Sequence, residues 1–316
     1  MRVKFKTSLA VLTAVALLIG GLPSCASKAP TVSGGYDTGT AIPDAPVVNK
    51  GPKKRIAVIE FNNKTPNRRM NLGEVAAEIL TTELFKTGNF IMVERNDLDK
   101  VLDENRRSRE ADIDPATAAQ TGRVLGVNAV VIGNITNYAT KVEGIEVLGY
   151  KKKVQTAEVT VDVKVIDVNT GQIIYADSGT GRFQVEVKEF AGQGQRASYD
   201  EGLATDALRA GIIQFAGNIV RQIAYMEWSG KIADVQGGQV YINAGQKTGL
   251  SKGDRLVVRS KGNTITDPDT GLVLGTAPGP QIGELVVTEF FGDDAAVCQV
   301  VSGSGFNRGD VVWMKR

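Results

Sequence analysis

Side chains able to do chemistry are sparse in this sequence, and most lack the neighbours that chemistry needs. Its 316 residues include no histidine and only two cysteines. Without imidazole there is no serine–histidine or cysteine–histidine relay, and the commonest metal ligand is missing. Two thiolates cannot complete a tetrahedral zinc site. Asp112 and Asp114 are spaced like carboxylate ligands, but Asp114 precedes Pro115, and that pair reads as a helix cap followed by its first residue. Asp267-Pro268-Asp269-Thr270-Gly271 resembles part of a calcium loop without the remaining oxygens or the closing glutamate, so it reads as a turn. Gly192-Gln193-Gly194 lacks the strand and lysine context that cradles phosphate. These residues predict a protein that is not an enzyme and uses neither cofactor nor metal.

The exception is Cys25. Arg2, Lys4 and Lys6 begin the chain, and Leu9 to Ile19 is apolar apart from Thr13. A charged start and an apolar run too short to span a bilayer as a mature helix describe a secretory signal. The run ends in Leu22-Pro23-Ser24-Cys25, which resembles a bacterial lipobox, with Pro23 a mild departure. The resemblance implies diacylglycerol on the Cys25 thiol and a further acyl chain on the new amine, and two or more chains anchor stably. Ala26 after the cysteine implies the outer membrane, on its periplasmic side. The competing reading is an ordinary cleaved signal with an incidental cysteine.

Cleavage after residue 24 changes the charge. Three of the 37 basic residues leave with the signal, so 34 remain against 35 acidic, a net charge near −1. Nucleic acid is therefore not an expected partner. Cys298 becomes the one remaining thiol, in the apolar run Ala295 to Val301, where it reads as a small core residue. Residues 25–52 carry Ser27, Ser33, Gly34, Gly35 and four prolines without periodicity, which predicts a flexible lipidated tether.

The elements follow from apolar spacing. Ile56 to Phe61 reads as a buried strand. Asn71 with Glu74 opens a helix as a partial capping box, Leu72, Val75, Ala76, Ile79, Leu80 and Leu84 give its stripe, and Gly88 ends it. Phe90 to Val93 is a second strand. A short helix follows Asn96, with Leu98, Val101 and Leu102 on one face. Another helix opens at Pro115, and Val127 to Ile132 is a third strand. Val159, Val161, Val163 and Val165 alternate with polar residues, Asn169-Thr170-Gly171 turns, and Phe183, Val185 and Val187 alternate again. From Leu203 to Met226 a long helix carries Leu208, Ile212, Phe215, Ile219 and Ile223 on one stripe. After Trp228 the texture becomes short strands between glycine turns. Gly253-Asp254 and Gly309-Asp310 each precede a strand, a weak internal repeat that suggests a small β-barrel or sandwich.

This order of elements resembles the family of the curli secretion component CsgG. The resemblance rests on Ile56 to Phe61, then Val93-Glu94-Arg95-Asn96 with Leu98, Leu102 and Glu104. It continues through Val131-Ile132-Gly133-Asn134-Ile135 and Val165-Ile166-Asp167-Val168-Asn169-Thr170-Gly171. It covers roughly residues 53–227 and implies an α/β fold of the TolB N-terminal-like kind with two extended β-hairpins. The segment 228–316 resembles the small all-β domain ending FlgT-type flagellar assembly proteins. Four regions are expected: signal 1–24, tether 25–52, CsgG-like domain 53–227 and C-terminal β domain 228–316.

The family resemblance implies homo-oligomeric rings whose hairpins share an outer-membrane barrel and let unfolded extracellular fibre subunits out. It would place hairpins at 133–159 and 176–203, with Tyr138 and Val142 on one membrane face and Phe183, Val185 and Val187 on another. Lys151-Lys152-Lys153 would have to sit at an end or tip, since a lysine at mid-depth costs about 2–4 kcal/mol. The family's channel constriction comes from the loop after the first strand. Here that loop has no aromatic, so Asn67, Arg68 and Arg69 are the candidate lining, and an arginine ring would attract acidic chains. The alternative is a non-pore periplasmic lipoprotein adaptor that binds envelope accessory proteins. An apolar band about 25 Å tall on the hairpins favours the pore, and charges scattered through it favour the adaptor.

Overall fold

The computed structural model describes residues 51–66, 71–93, 115–147, 150–190, 200–269, 273–277 and 279–315. The first unit runs β1 (Lys54–Asn63), α1 (Leu72–Lys86), β2 (Phe90–Met92), α2 (Pro115–Leu125), β3 (Ala129–Val147), β4 (Tyr150–Asp167), β5 (Ile173–Phe190) and α3 (Asp200–Tyr225). Its sheet has the order β2-β1-β3-β4-β5. β1 is parallel to β2 and β3, while β3, β4 and β5 are mutually antiparallel neighbours.

β1 is apolar on both sides because helices cover both faces of the sheet. Ile56, Val58 and Phe61 pack with α1 and α3, whereas Ala57 and Ile59 pack with α2 residues Ala118 and Ala119. Simple alternation would put Val58 and Phe61 on opposite faces. A register shift between Val58 and Glu60 returns Phe61 to the α1/α3 side. In α3 the stripe Leu208, Ile212, Phe215, Ile219 and Ile223 is wholly buried against the sheet.

Four expectations meet a different structure or none. The second hairpin at 176–203 does not have those bounds. Residues 173–190 form the single strand β5, and α3 begins at Asp200, because Leu203, Ala204, Ala207 and Leu208 bury themselves at helical spacing. A return strand could use only residues 191–199, which lie outside the described residues. Asn71 stands at the N-cap of α1, but its side chain makes no capping bond. Its carbonyl accepts from Val75 N–H at 3.1 Å instead. The short helix after Asn96 and the motif Asp112-x-Asp114 fall outside the described residues.

The second unit is a closed six-strand barrel, in the order β11-β12-β7-β6-β13-β8. Its strands are β6 (Ser229–Gln236), β7 (Gln239–Ile242), β8 (Arg255–Arg259), β11 (Gln281–Phe291), β12 (Ala295–Gly303) and β13 (Val311–Met314). A separate hairpin of β9 (Asn263–Thr266) and β10 (Val273–Ala277) interrupts it. Cys298 is fully buried in the barrel among Ile242, Leu285 and Val287. The repeated Gly-Asp turns adopt one geometry: Gly253 and Gly309 have φ of 93° and 92°. Asp254 Oδ2 accepts from Ser251 N–H at 2.8 Å, and Asp310 Oδ2 from Asn307 N–H at 2.7 Å. The strands they launch, β8 and β13, are antiparallel neighbours. At Asp267–Asp269 the chain forms an Asx turn, with Asp269 N–H donating to Asp267 Oδ1 at 3.0 Å.

Candidate interaction surface: the three-stranded ribbon

β1 ends at Asn63, opposite Ile135. From Thr136 to Val147, β3 continues with β4 and β5 as a ribbon that projects about 40 Å past the parallel strands. The register fixes which residues share a face. One face carries the rows Tyr138–Val159–Gly181, Thr140–Ala157–Phe183, Val142–Gln155–Val185, Gly144–Lys153–Val187 and Glu146–Lys151–Glu189. The other carries Asn137–Thr160–Thr180, Ala139–Glu158–Arg182, Lys141–Thr156–Gln184 and Glu143–Val154–Glu186.

α3 lies on the first two rows of the first face. A Cβ at Gly181 would come 1.9 Å from Ala207 O and 2.3 Å from Gly211 N, and one at Gly179 would come 2.2 Å from Gly211 O. Helix and strand therefore meet backbone to backbone, which only glycine allows. The expected membrane-face residues divide accordingly. Phe183 is 6% exposed in the core under α3, and Tyr138 and Val185 are half-buried against the same cluster. Val142 is 63% exposed. Val187 is placed by its backbone register, opposite Lys153. Cys25, Asn67, Arg68 and Arg69 lie outside the described residues.

The second face is polar and bonded across strands. Arg182 Nη2 donates to Glu158 Oε2 at 2.5 Å. The hydroxyls of Thr160 and Thr180 are 3.0 Å apart, and Ser178 Oγ donates to Asp162 Oδ1 at 2.6 Å. Lys141 pairs with Glu143 on the same strand at 2.5 Å. On the first face, below Gly179, burial and the bond that its hydroxyl donates to Asp177 push the Tyr175 phenol up to about 12, and accepting that bond holds the Asp177 carboxyl below its usual range. Cross-strand partners such as Glu158 and Arg182 are 24 residues apart in sequence, so only the register reveals them.

At the opposite end of the sheet the barrel docks through polar groups, with Asn128 buried and the others half-buried. Asn128 Oδ1 accepts from Arg55 N–H at 2.9 Å, while its Nδ2 donates to Ser229 O at 2.7 Å. Asn169 Nδ2 donates to Ser229 Oγ at 3.0 Å. Lys231 Nζ caps the end of α2 by donating to Arg123 O at 2.5 Å. Burial lowers the Lys231 pKa, and nearby Arg123 and Lys261 lower it further. Burial also raises the Asp167 pKa, although its carboxylate accepts from Asn169 N–H at 2.7 Å. Among the described residues, no three Cys, Asp or Glu side chains gather as a metal site. Nor, among them, is any helix long and apolar enough to cross a membrane, which leaves strands open.

A candidate lipoprotein of Neisseria meningitidis serogroup B, NMB1126/NMB1164, is 25% identical over 189 residues, covering 56% of this chain and 80% of that protein. Among solved structures, lipoprotein GNA1162 of Neisseria meningitidis is 17% identical, over 55% of this chain and 99% of its own, with a TM-score of 0.31. The LpoB C-terminal domain of Salmonella enterica is 18% identical, over 41% of this chain and 83% of its own, with a TM-score of 0.29. Scores this low carry no argument about fold detail or function. The family model described as curli production assembly/transport component CsgG matches residues 48–252, well over half the sequence and further into the barrel than the motifs alone reach. This chain belongs to the CsgG family.

Proposed function

We propose that the protein is a lipid-anchored, non-enzymatic component of the cell envelope, fixed at Cys25 to the periplasmic side of the outer membrane. It acts by docking envelope proteins on its ribbon. The supporting observation is the shortness of the ribbon's apolar face. Rows on one face repeat every two residues, about 6.8 Å. From the Tyr138 row to the Val142 row that makes about 14 Å, and α3 already covers the first two rows. The next row centres on Lys153, which is exposed. A spanning barrel needs an apolar band about 25 Å tall. The other face carries Lys141, Glu143, Glu158, Arg182 and Glu186 through the same height.

A second reading keeps the export pore. Strands of 18 and 19 residues exceed the 9–11 or so that a membrane strand needs, and the family is described as a transport component. In that reading copies form a ring, Asn67, Arg68 and Arg69 line the channel, and secreted fibre subunits are the cargo. Among the described residues, however, β3 and β5 are the ribbon's two edges and run in the same direction, so copies joined through these edges would meet in parallel. Outer-membrane barrels are antiparallel. Planar-bilayer recording of the purified lipidated protein separates the two. The adaptor predicts no unitary conductance, and stable conductance steps from a detergent-resistant ring would overturn it.

A further inference from the structure

The barrel is built from two copies of one motif, a hairpin followed by a Gly-Asp turn and a third strand. Gly253 N–H donates to Val287 O at 2.8 Å, and Val287 N–H donates back to Asp254 O at 2.9 Å. In the other copy Gly309 N–H donates to Ile232 O at 2.9 Å, and Ile232 N–H donates back to Asp310 O at 2.9 Å. Each turn thus clasps the first strand of the other copy's hairpin, β11 or β6. In both hairpins the register shifts just after the clasped residue, between Ile232 and Asp234 and between Val287 and Glu289. The hairpins β6–β7 and β11–β12 are therefore equivalent, and they pair with each other through β7 and β12.

This symmetry builds a row across the outer face of four strands, Asp234–Tyr241–Val297–Glu289, with an acid at each end. Both acids are exposed, Tyr241 is half-buried, and Val297 is 8% exposed although it points outward. Phe291 lies two residues beyond Glu289 on the same face and is 45% exposed. Its ring meets that of Tyr241 across β12, centroids 5.6 Å apart and planes at 84°. Asp234 accepts only from neutral donors, Val235 N–H at 2.9 Å and Gln236 Nε2 at 2.6 Å. The nearby lysines are engaged elsewhere, Lys247 with Asp293 at 3.7 Å and Lys315 with Glu284 at 2.6 Å. Among the described residues, no ion pair reaches Asp234 or Glu289. Neighbouring strands lie about 4.8 Å apart, so three steps place the two acids about 14 Å apart, the span of about four residues of extended chain.

We propose that this face of the barrel docks an extended basic polypeptide segment, with arginine or lysine four residues apart on Asp234 and Glu289 and an apolar side chain between them on Tyr241 and Phe291. Side chains two and four residues apart share one side of an extended chain, so all three contacts fall on the same side. Uncompensated carboxylates attract cationic groups, and guanidinium planes also stack on aromatic faces. The same two charges repel the phosphates of anionic lipid and nucleic acid. Rings set edge to face share no flat platform on which a sugar could lie. The surface is separate from the ribbon and gives the protein a second docking site.

The test is fluorescence anisotropy with full-length protein in neutral detergent. The probe is a rhodamine-labelled heptapeptide with arginine at its second and sixth positions, leucine at the fourth and serine elsewhere. The expected result is saturable binding, weakened about ten-fold in Asp234→Asn/Glu289→Gln and several-fold in Phe291→Ala. A peptide of the same composition with its arginines adjacent should bind several-fold more weakly than the spaced one. Asp269→Asn removes an exposed acid from the turn between β9 and β10 and should bind like wild type. Absence of saturable binding would overturn the proposal, as would equal affinity for wild type and the double variant or for the two peptides. Sedimentation with purified peptidoglycan that Phe291→Ala abolishes and the double variant keeps would overturn it in favour of a saccharide.

Discussion

Gly181→Ala isolates the meeting of α3 and β5, and its cost can be worked from the structure. The new methyl would sit 1.9 Å from Ala207 O and 2.3 Å from Gly211 N. Real Cβ atoms do not come within about 3 Å of such neighbours, and both are backbone, so no rotamer relieves the clash. α3 must move out by about 1 Å. It carries Leu208, Ile212, Phe215 and Ile219, all fully buried, and even a small gap forfeits much of their dispersion energy. Overpacking usually costs about 1–3 kcal/mol, and a rigid contact on two backbone atoms belongs at the upper end, about 3 kcal/mol. Gly202→Ala is the control. It lies in the same helix with nothing within 4 Å, so it should be neutral or stabilising by up to about 1 kcal/mol. Urea unfolding followed by helical far-UV circular dichroism suits the comparison, because the described helices all lie in the sheet unit. With a slope of about 1–3 kcal/mol per molar urea, the Gly181 variant should lose about 1 M or more in midpoint. Were Gly181 on a face open to lipid, the added methyl would cost nothing. Equal midpoints for the two variants would therefore refute the packing argument.

Three further outcomes follow from single groups. Asn128→Ala leaves the Arg55 N–H without its acceptor and cuts the tie to Ser229. It should cost about 2–4 kcal/mol and speed proteolysis between Tyr225 and Ser229; an unchanged cleavage rate would count against the seam. Lys54 is fully buried, donates to Ala224 O at 3.0 Å, and has its pKa lowered by burial. Between that lowered value and 10.5 the unfolded chain holds more protons than the folded one, so stability rises with pH across this window. Lys54→Met should abolish that part of the rise, and parallel pH profiles for wild type and variant would contradict the assignment. Burial pushes the Cys298 thiol up to about 12. It should resist maleimide in native protein and react fully in denaturant, whereas rapid native labelling would mean the barrel opens.

Much of the fold was legible because burial leaves a periodic trace. The valines at 159, 161, 163 and 165 and the stripe Leu208, Ile212, Phe215, Ile219 and Ile223 are read from spacing alone, and all are buried. The repeated Gly-Asp turns identified the launch points of β8 and β13. Asn71 misled because a capping residue type does not oblige its side chain to bond. The second hairpin misled because Gly179, Phe183 and Val185 alternate whether lipid or a helix covers them. Alternation reports that a face is covered and is silent about what covers it.

By itself, then, the sequence determined the local chemistry: a cysteine after a charged and then apolar run, no imidazole, and strands and helices with their buried sides marked. It also carried enough pattern for family membership, because backbone preference and apolar period are properties of neighbouring residues. The tertiary structure decided what depends on residues far apart in the chain. Register set Glu158 against Arg182 and Lys153 against Val187, which breaks the apolar band. α3 closed over Gly181 and Phe183. The bond from Lys53 to Thr248 put the entry of the chain at the barrel end. Each is a long-range contact whose partner no local spacing specifies, and together they set which surface the ribbon has left to offer.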